Sequence, residues 1–226
     1  MDEGPMHRTN WTDRLAFLGE FFRSPLQVAS IVPSTRFVER QVARRVADCP
    51  GVVVELGAGT GGVTQALLSS ISRSARLIAV ELNPVLAARV ARIGDPRLVV
   101  HCGSAEELPE VLRAHGCIAA AAVVSGLPFS TIPRARALRV LSAVERSLAP
   151  GGEFVAYHAR DTLERLVAAR RFRTRFELIE GCMAWINIPP LRIYRWRCVK
   201  RQAAQVDHVR NRALVQVASH EVRATA

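Results

Sequence analysis

Lysine is nearly absent: of 31 basic residues only Lys200 is a lysine. So skewed a ratio reflects genome composition, and it is not read as selection for phosphate. Cysteine is sparse and unpatterned. Cys49, Cys102, Cys117, Cys182 and Cys198 fall at no metal-ligand spacing, and five is an odd number. That excludes a disulfide framework and a cysteine-based metal centre, and predicts buried free thiols in a reducing cytosol. No apolar run approaches the roughly 20 residues of a membrane-spanning helix. The opening "MDEGPMHRTN" begins acidic and lacks an apolar secretory core, so no leader peptide is expected. No internal repeat is visible.

What is present suits a globular chain. Hydrophobic residues make up 49% of 226, enough for a sizeable core. The formal net charge of +11 suits a polyanionic partner, either nucleic acid or an anionic lipid surface. The excess sits late, with ten basic and four acidic side chains between residues 160 and 200, although a solvated surface also accounts for much of it.

Residues 11–24, "WTDRLAFLGEFFRS", predict an amphipathic helix ended by Pro25. Trp11, Leu15, Leu18 and Phe22 recur at helical spacing, and Phe17 and Phe21 widen the stripe. "SIVPST" follows, with an N-cap at Ser34 or Thr35, and a helix over 36–47. From residue 52 short apolar runs alternate with helical stretches. Strands are expected at "VVVEL", "RLIAVEL", "RLVVHCG", the end of "IAAAAVVSGL" and "EFVAYH". Helices are expected at 62–70, from Pro84, from Glu106, over 134–148 and near 161–170. This βαβ rhythm predicts a mostly parallel sheet with helices on both faces. "RFELIEGCMAWINIPPLRIYRWRCV" adds two closing strands around Asn187, Pro189 and Pro190, one of them antiparallel. The polar tail from Arg201 is expected to be a loosely held helix or disordered.

The stretch that carries chemistry is "VVVELGAGTGGVT", residues 52–64. Strand, glycine loop and helix make the layout that binds a nucleotide-like ligand at the carboxyl ends of parallel strands. Gly57, Gly59 and Gly61, with Ala58 and Thr60 between them, let the backbone turn sharply and approach a ligand. Glu55 stands just before the loop, where a pyrophosphate would demand positive potential. An acid there suits the ammonium of S-adenosylmethionine (SAM), which has no phosphate. Glu81, ending the second strand with Leu82 beside it, can accept from both ribose hydroxyls. The alternative is a glycine turn that only packs.

With these residues the chain resembles class I SAM-dependent methyltransferases over roughly residues 34–199. The resemblance implies an α/β, Rossmann-like fold with a seven-stranded, mostly parallel sheet and one antiparallel strand. It places the adenine beside Gly103, Ser104 and Ala105, and Ser34, Thr35 and Ser125 near the cofactor. An aspartate is usual where Ser104 stands, and Ser104-x-x-Glu107 also fits a helix capping box. After the fourth strand, "SGLPF" resembles the loop with which amine methyltransferases of bases hold a planar amine. Gly126 replaces the base-reading asparagine, which argues against a nucleobase. The backbone around Leu127 and Pro128, with Phe129, could hold an alkyl ammonium. The other reading of the loop is a turn packed under the sheet.

"FFRSPLQVASIVPST", "SGLPF" and "INIPPLRIYRWR" together resemble the small bacterial phospholipid N-methyltransferases, over most of residues 15–197. That likeness implies stepwise methylation of phosphatidylethanolamine toward phosphatidylcholine by an enzyme peripheral to the inner face of the cytoplasmic membrane. Residues 1–33 would then be a docking element, 34–200 the catalytic domain and 201–226 a tail. Trp11, Leu15, Leu18, Phe21 and Phe22 would enter the lipid interface with Arg23 near headgroups, although the same stripe could pack on the sheet. Basic surface could come from Arg36, Arg40, Arg44 and Arg45 or from the late arginines. Tyr157 and His158 end the fifth strand, and alternation lets one of them face the cleft to help take the amine proton. An RNA or protein N-methyltransferase remains the second reading.

Overall fold

The computed structural model describes residues 36–47, 49–169, 176–185 and 190–199. The helix expected over 11–24 with its apolar stripe (Trp11 to Arg23), Ser34, Thr35, Asn187, Pro189 and the tail from Arg201 lie outside them.

The chain runs α1 (Arg36–Arg44), β1 (Val52–Leu56), α2 (Gly62–Ser70), β2 (Arg76–Glu81), α3 (Pro84–Ala91) and β3 (Leu98–Cys102). It continues with α4 (Leu108–Ala114), β4 (Ala120–Ser125), α5 (Arg134–Ser147), β5 (Leu148–His158), α6 (Thr162–Ala169), β6 (Phe176–Ala184) and β7 (Leu191–Cys198). The seven strands form one sheet in the order β3-β2-β1-β4-β5-β7-β6. β7 is the antiparallel strand, pairing antiparallel with both β5 and β6. The expected Rossmann-like α/β architecture is therefore the one found.

Both faces of the sheet are covered, which is why its central strands read as unbroken apolar runs. Neighbouring residues in a strand point to opposite faces and join different cores. Val53 packs with Val38 and Val42 of α1 and Leu67 of α2. Val54 packs with Leu108 of α4, Leu141 of α5 and Leu163 of α6. Each such side chain, once fully buried, contributes roughly 1.5–3 kcal/mol by leaving water. On β5 Phe154 stacks on Trp196 of β7 with ring centroids 5.5 Å apart, tying the antiparallel edge to the parallel core.

Several element ends differ from expectation. α1 stops at Arg44, and tight turns continue it, with Arg45, Val46 and Ala47 amides bonding three residues back. A 3₁₀ turn (Ala105–Glu107) precedes α4, because Ser104 caps the amide of Glu106. α5 ends at Ser147 instead of Leu148, since Leu148 is already extended (φ −77°, ψ 138°) and opens β5. β5 thus begins five residues before the expected "EFVAYH". The intervening "PGG" is absorbed as a bulge, with Leu148 opposite Ala120 and Glu153 opposite Ala122. No disulfide joins the five cysteines, but only Cys117 and Cys198 are buried, and Cys102 is exposed.

Candidate active site

The strand order reverses at β1, which lies between β2 and β4, and the crevice of such a sheet opens there. Leu56 pairs with Ser125, so the glycine loop after β1 and the "SGLPF" loop after β4 leave the sheet side by side. Gly57 donates to Val80 O at 2.8 Å, and Gly126 to Leu56 O at 3.0 Å. Gly57 and Gly61 have φ of 79° and 91°, left-handed values that a side chain disfavours. Leu127 leans over Gly57: a Cβ there would lie 3.0 Å from Leu127 Cδ2. The two loops are therefore in contact.

Glu55 is fully buried. Its Oε2 accepts a 2.6 Å hydrogen bond from Thr64 Oγ1 of α2, and its Oε1 is buried with no hydrogen-bond partner among the described residues. Burial pushes the carboxyl up to about 7, against the Thr64 bond and with help from the nearby charges of Glu81 and Glu39. A buried acceptor left open beside a glycine loop fits a ligand ammonium.

Glu81 does something the sequence did not reveal. Its Oε2 accepts from the Gly59 amide at 2.8 Å and its Oε1 from the Asn83 amide at 2.9 Å. It braces the glycine loop, and the ribose contact expected of it must use the remaining lone pairs. Asn83 in turn caps α3 through Val85 N at 2.9 Å.

A cleft beside this loop is lined by Gly57, Glu81, Leu82, Gly103, Ser104, Ala105 and Leu127, all expected near the cofactor or the acceptor. Val80, Ile132, Arg136 and Val140 complete it and were not foreseen. The last three come from α5 and the turn before it, which only the tertiary fold brings here. Arg136 is held by an ion pair with Glu106, which Arg139 also grips. Of the other expected cofactor residues, Ala58 and Gly61 are buried, Thr60 is exposed, and Ser125 uses its hydroxyl to accept from Leu127 N at 3.3 Å. A larger cavity, about 320 Å³, lies between α6 and the β6–β7 edge, and none of its lining residues belongs to either loop.

The acceptor side needs two corrections. Phe129 is 2% exposed and packs in the core with α4 and α5, so its ring does not stand open to an ammonium. His158 faces the α6 side, where its Nδ1 bonds Arg160 O, its Nε2 lies 3.5 Å from Glu164 and its ring stacks on Tyr194. Burial pushes the imidazole below its ordinary pKa, against the attraction of Glu164. Tyr157 takes the other face of β5. Its hydroxyl lies against Gly126, so that a Cβ at 126 would sit 2.7 Å from Tyr157 Cζ and nearer still to the oxygen. Gly126, Leu127 and Pro128 are half-buried, and the Leu127 carbonyl accepts from Phe129 N at 2.9 Å.

Glu39 of α1 also belongs here, and nothing in its local sequence pointed to it. Its carboxylate rests on Gly62, the first residue of α2, in the space a Cβ would need. Burial raises its pKa and Arg36 opposes that rise. Among the described residues no cluster of side chains could hold a metal.

A methyltransferase-domain family profile matches residues 53–152. The chain is 32% identical over 193 residues to an ornithine lipid N-methyltransferase of Singulisphaera acidiphila, covering 83% of this chain and 97% of that one. It is 25% identical over 162 residues to ribosomal RNA small subunit methyltransferase A of Parasynechococcus marenigrum, covering 69% of this chain and 53% of that one. Its fold matches the crystal structure of the N-methyltransferase NodS from Bradyrhizobium japonicum WM9 in complex with S-adenosyl-L-homocysteine (SAH). There the TM-score is 0.59 at 13% identity, over 80% of this chain and 91% of that one.

Proposed function

The chain belongs to the class I SAM-dependent methyltransferases, and on that premise we propose that it N-methylates phosphatidylethanolamine headgroups, toward phosphatidylcholine, at a membrane surface. The observation that carries this reading is the 32% likeness to a lipid N-methyltransferase along 97% of that protein's length. The ribosomal RNA methyltransferase of P. marenigrum is spanned for only 53% of its length. The missing side chain at Gly126 points the same way, because a planar base amine would lose its amide partner.

Bound SAM supplies an electrophilic methyl on its sulfonium, so the protein's part is placement and dryness. Glu55 Oε1 would hold the ammonium end, the glycine loop braced by Glu81 would carry the chain, and Ser104 and Ala105 would flank the adenine. The acceptor must arrive as a neutral amine, although an alkyl ammonium has a pKa of roughly 10 in water. The half-buried loop of Gly126, Leu127 and Pro128 disfavours the charged form by desolvation.

Access from a membrane surface draws on two surface features, the α1 arginines and Trp185. No helix among the described residues is long and apolar enough to cross a membrane. Arg36, Arg40 and Arg44 are exposed at four-residue spacing on α1. Trp185, 73% exposed, sits at the tip of the β6–β7 hairpin, at the same end of the sheet as the two loops. Arg45 is committed elsewhere, to Glu180, as are Arg195 and Arg197 to Glu153.

Expression in a bacterium that makes no phosphatidylcholine, followed by lipid mass spectrometry, tests the proposal. Mono-, di- or trimethylated ethanolamine lipids support it. Their absence, with folded protein present, overturns it, and methylated ornithine lipids in their place would move the headgroup to that named for the 32% relative.

A further inference from the structure

The geometry points to Tyr157 as the residue that contacts the acceptor amine, occupying through the gap at Gly126 the place an amide side chain would take on that loop. Gly126 does not have a left-handed φ, so its backbone would admit any residue. Space alone excludes a side chain, and Tyr157 fills that space: the ideal Cβ position is 2.7 Å from Cζ and 3.4 Å from Cε1 of the ring. The placement follows from register, because β4 and β5 run parallel with Ser125 opposite Ala156, which sets Gly126 beside Tyr157. The ring is half-buried and packs with the core beneath α1 and α2, so the phenol is held in one position.

The chemistry follows from what the exchange removes. An amide oxygen on the loop accepts from a planar amine in the plane of its base. A phenol oxygen delivered from the neighbouring strand accepts one N–H of the acceptor without demanding that plane. Gly126 and Tyr157 thus act as a pair, the one opening the space and the other filling it. The identity of the amine rests on the function proposed above. The role of Tyr157 as its contact does not.

The test measures methyl transfer from labelled SAM by the full chain to vesicles containing phosphatidylethanolamine, to vesicles containing an ornithine lipid, and to ribosomal RNA. SAH affinity is measured by calorimetry beside it. Tyr157→Phe removes only the oxygen. For the acceptor that is methylated it should raise the apparent KM about tenfold, the loss of one hydrogen bond, while SAH affinity and kcat stay within about threefold. Gly126→Ala should raise the same KM and lower the melting temperature. Adding Tyr157→Val to Gly126→Ala removes the collision, so the two changes together should lower melting by less than the sum of each alone and leave KM raised. A Tyr157→Phe enzyme with unchanged KM overturns the inference, whichever acceptor is used. Transfer to RNA alone, with KM raised in Tyr157→Phe, overturns the lipid reading and supports this one. No transfer to any of the three overturns both.

Discussion

Thr64 Oγ1 donates to Glu55 Oε2 at 2.6 Å across the turn from β1 to α2, and the other oxygen of the same fully buried carboxyl has no hydrogen-bond partner among the described residues. Because the carboxyl has been pushed up from 4.5 to about 7, the empty protein holds its proton more tightly folded than unfolded. The stability it contributes is full below its unfolded value and is lost as pH rises toward 7. A ligand ammonium wants the ionised form, so binding should release a proton at pH 6 and almost none at pH 8. Calorimetric titration with SAH in buffers of different ionisation heat should show affinity rising with pH up to about 7 and then levelling. Glu55→Gln should bind more weakly and lose that slope. A pH-independent affinity in the wild type would count against Glu55 as the ammonium partner.

Glu39 and Gly62 make a second coupled pair. Alanine in place of glycine in a helix is worth up to about 1 kcal/mol, but here the new methyl meets the Glu39 carboxylate. Gly62→Ala alone should gain less than that, or nothing, because the flexible Glu39 carboxylate must move aside. In a Glu39→Ala background the same change should stabilise. Urea denaturation of the four proteins in this cycle measures the coupling, and additive effects would mean that the two residues do not meet in solution.

The fold could be read from the chain because its signals are local. Apolar runs such as "VVVEL" and "RLIAV" are the mark of strands buried on both faces, and glycines follow the strand that carries the loop. Glu55, the glycines, Ser104 and Ala105 could be placed at one end of the sheet because their positions are tied to strand ends. What could not be read depends on contacts across the sequence. Glu39 reaches Gly62, 23 positions later, from another helix. Arg136 and Val140 enter the cleft only when α5 docks. Phe129 carried a pattern equally suited to a core, and burial decided it. Tyr157 and His158 were separable in principle by alternation, but only the register shows which of them lies beside Gly126.

His158 illustrates the consequence of that face. Buried against Glu164 and Tyr194, it has a pKa below its ordinary value. Its contribution to stability is present above the unfolded pKa of about 6.5 and is lost as pH falls through the folded one. This slope has the opposite sign to that of Glu55. His158→Phe, which keeps a ring on Tyr194, should narrow the fall in melting temperature between pH 7 and pH 5. It should leave kcat within about threefold, since the imidazole is not in the acceptor loop. A loss of about a hundredfold in turnover without loss of fold would return His158 to the chemistry.

The arginines of α1 decide between a lipid surface and a merely soluble basic face. Arg36, Arg40 and Arg44 project from one side of the helix while Val38 and Val42 bury the other. Among the described residues, none of the three holds an ion pair of the kind that fixes Arg45 to Glu180. A basic side chain close to an anionic membrane is worth about 1 kcal/mol. Replacing all three by glutamine should therefore weaken binding to phosphatidylglycerol vesicles by about 3 kcal/mol, or roughly a hundredfold. The melting temperature should hardly change, because none of the three is buried. Raising salt should weaken wild-type binding and affect the triple variant much less, since screening acts on the charges that have been removed. Unchanged binding in the triple variant would mean that docking depends on the N-terminal apolar stripe or the hairpin tip with Trp185, and that α1 serves only to hold Glu39 over the glycine loop.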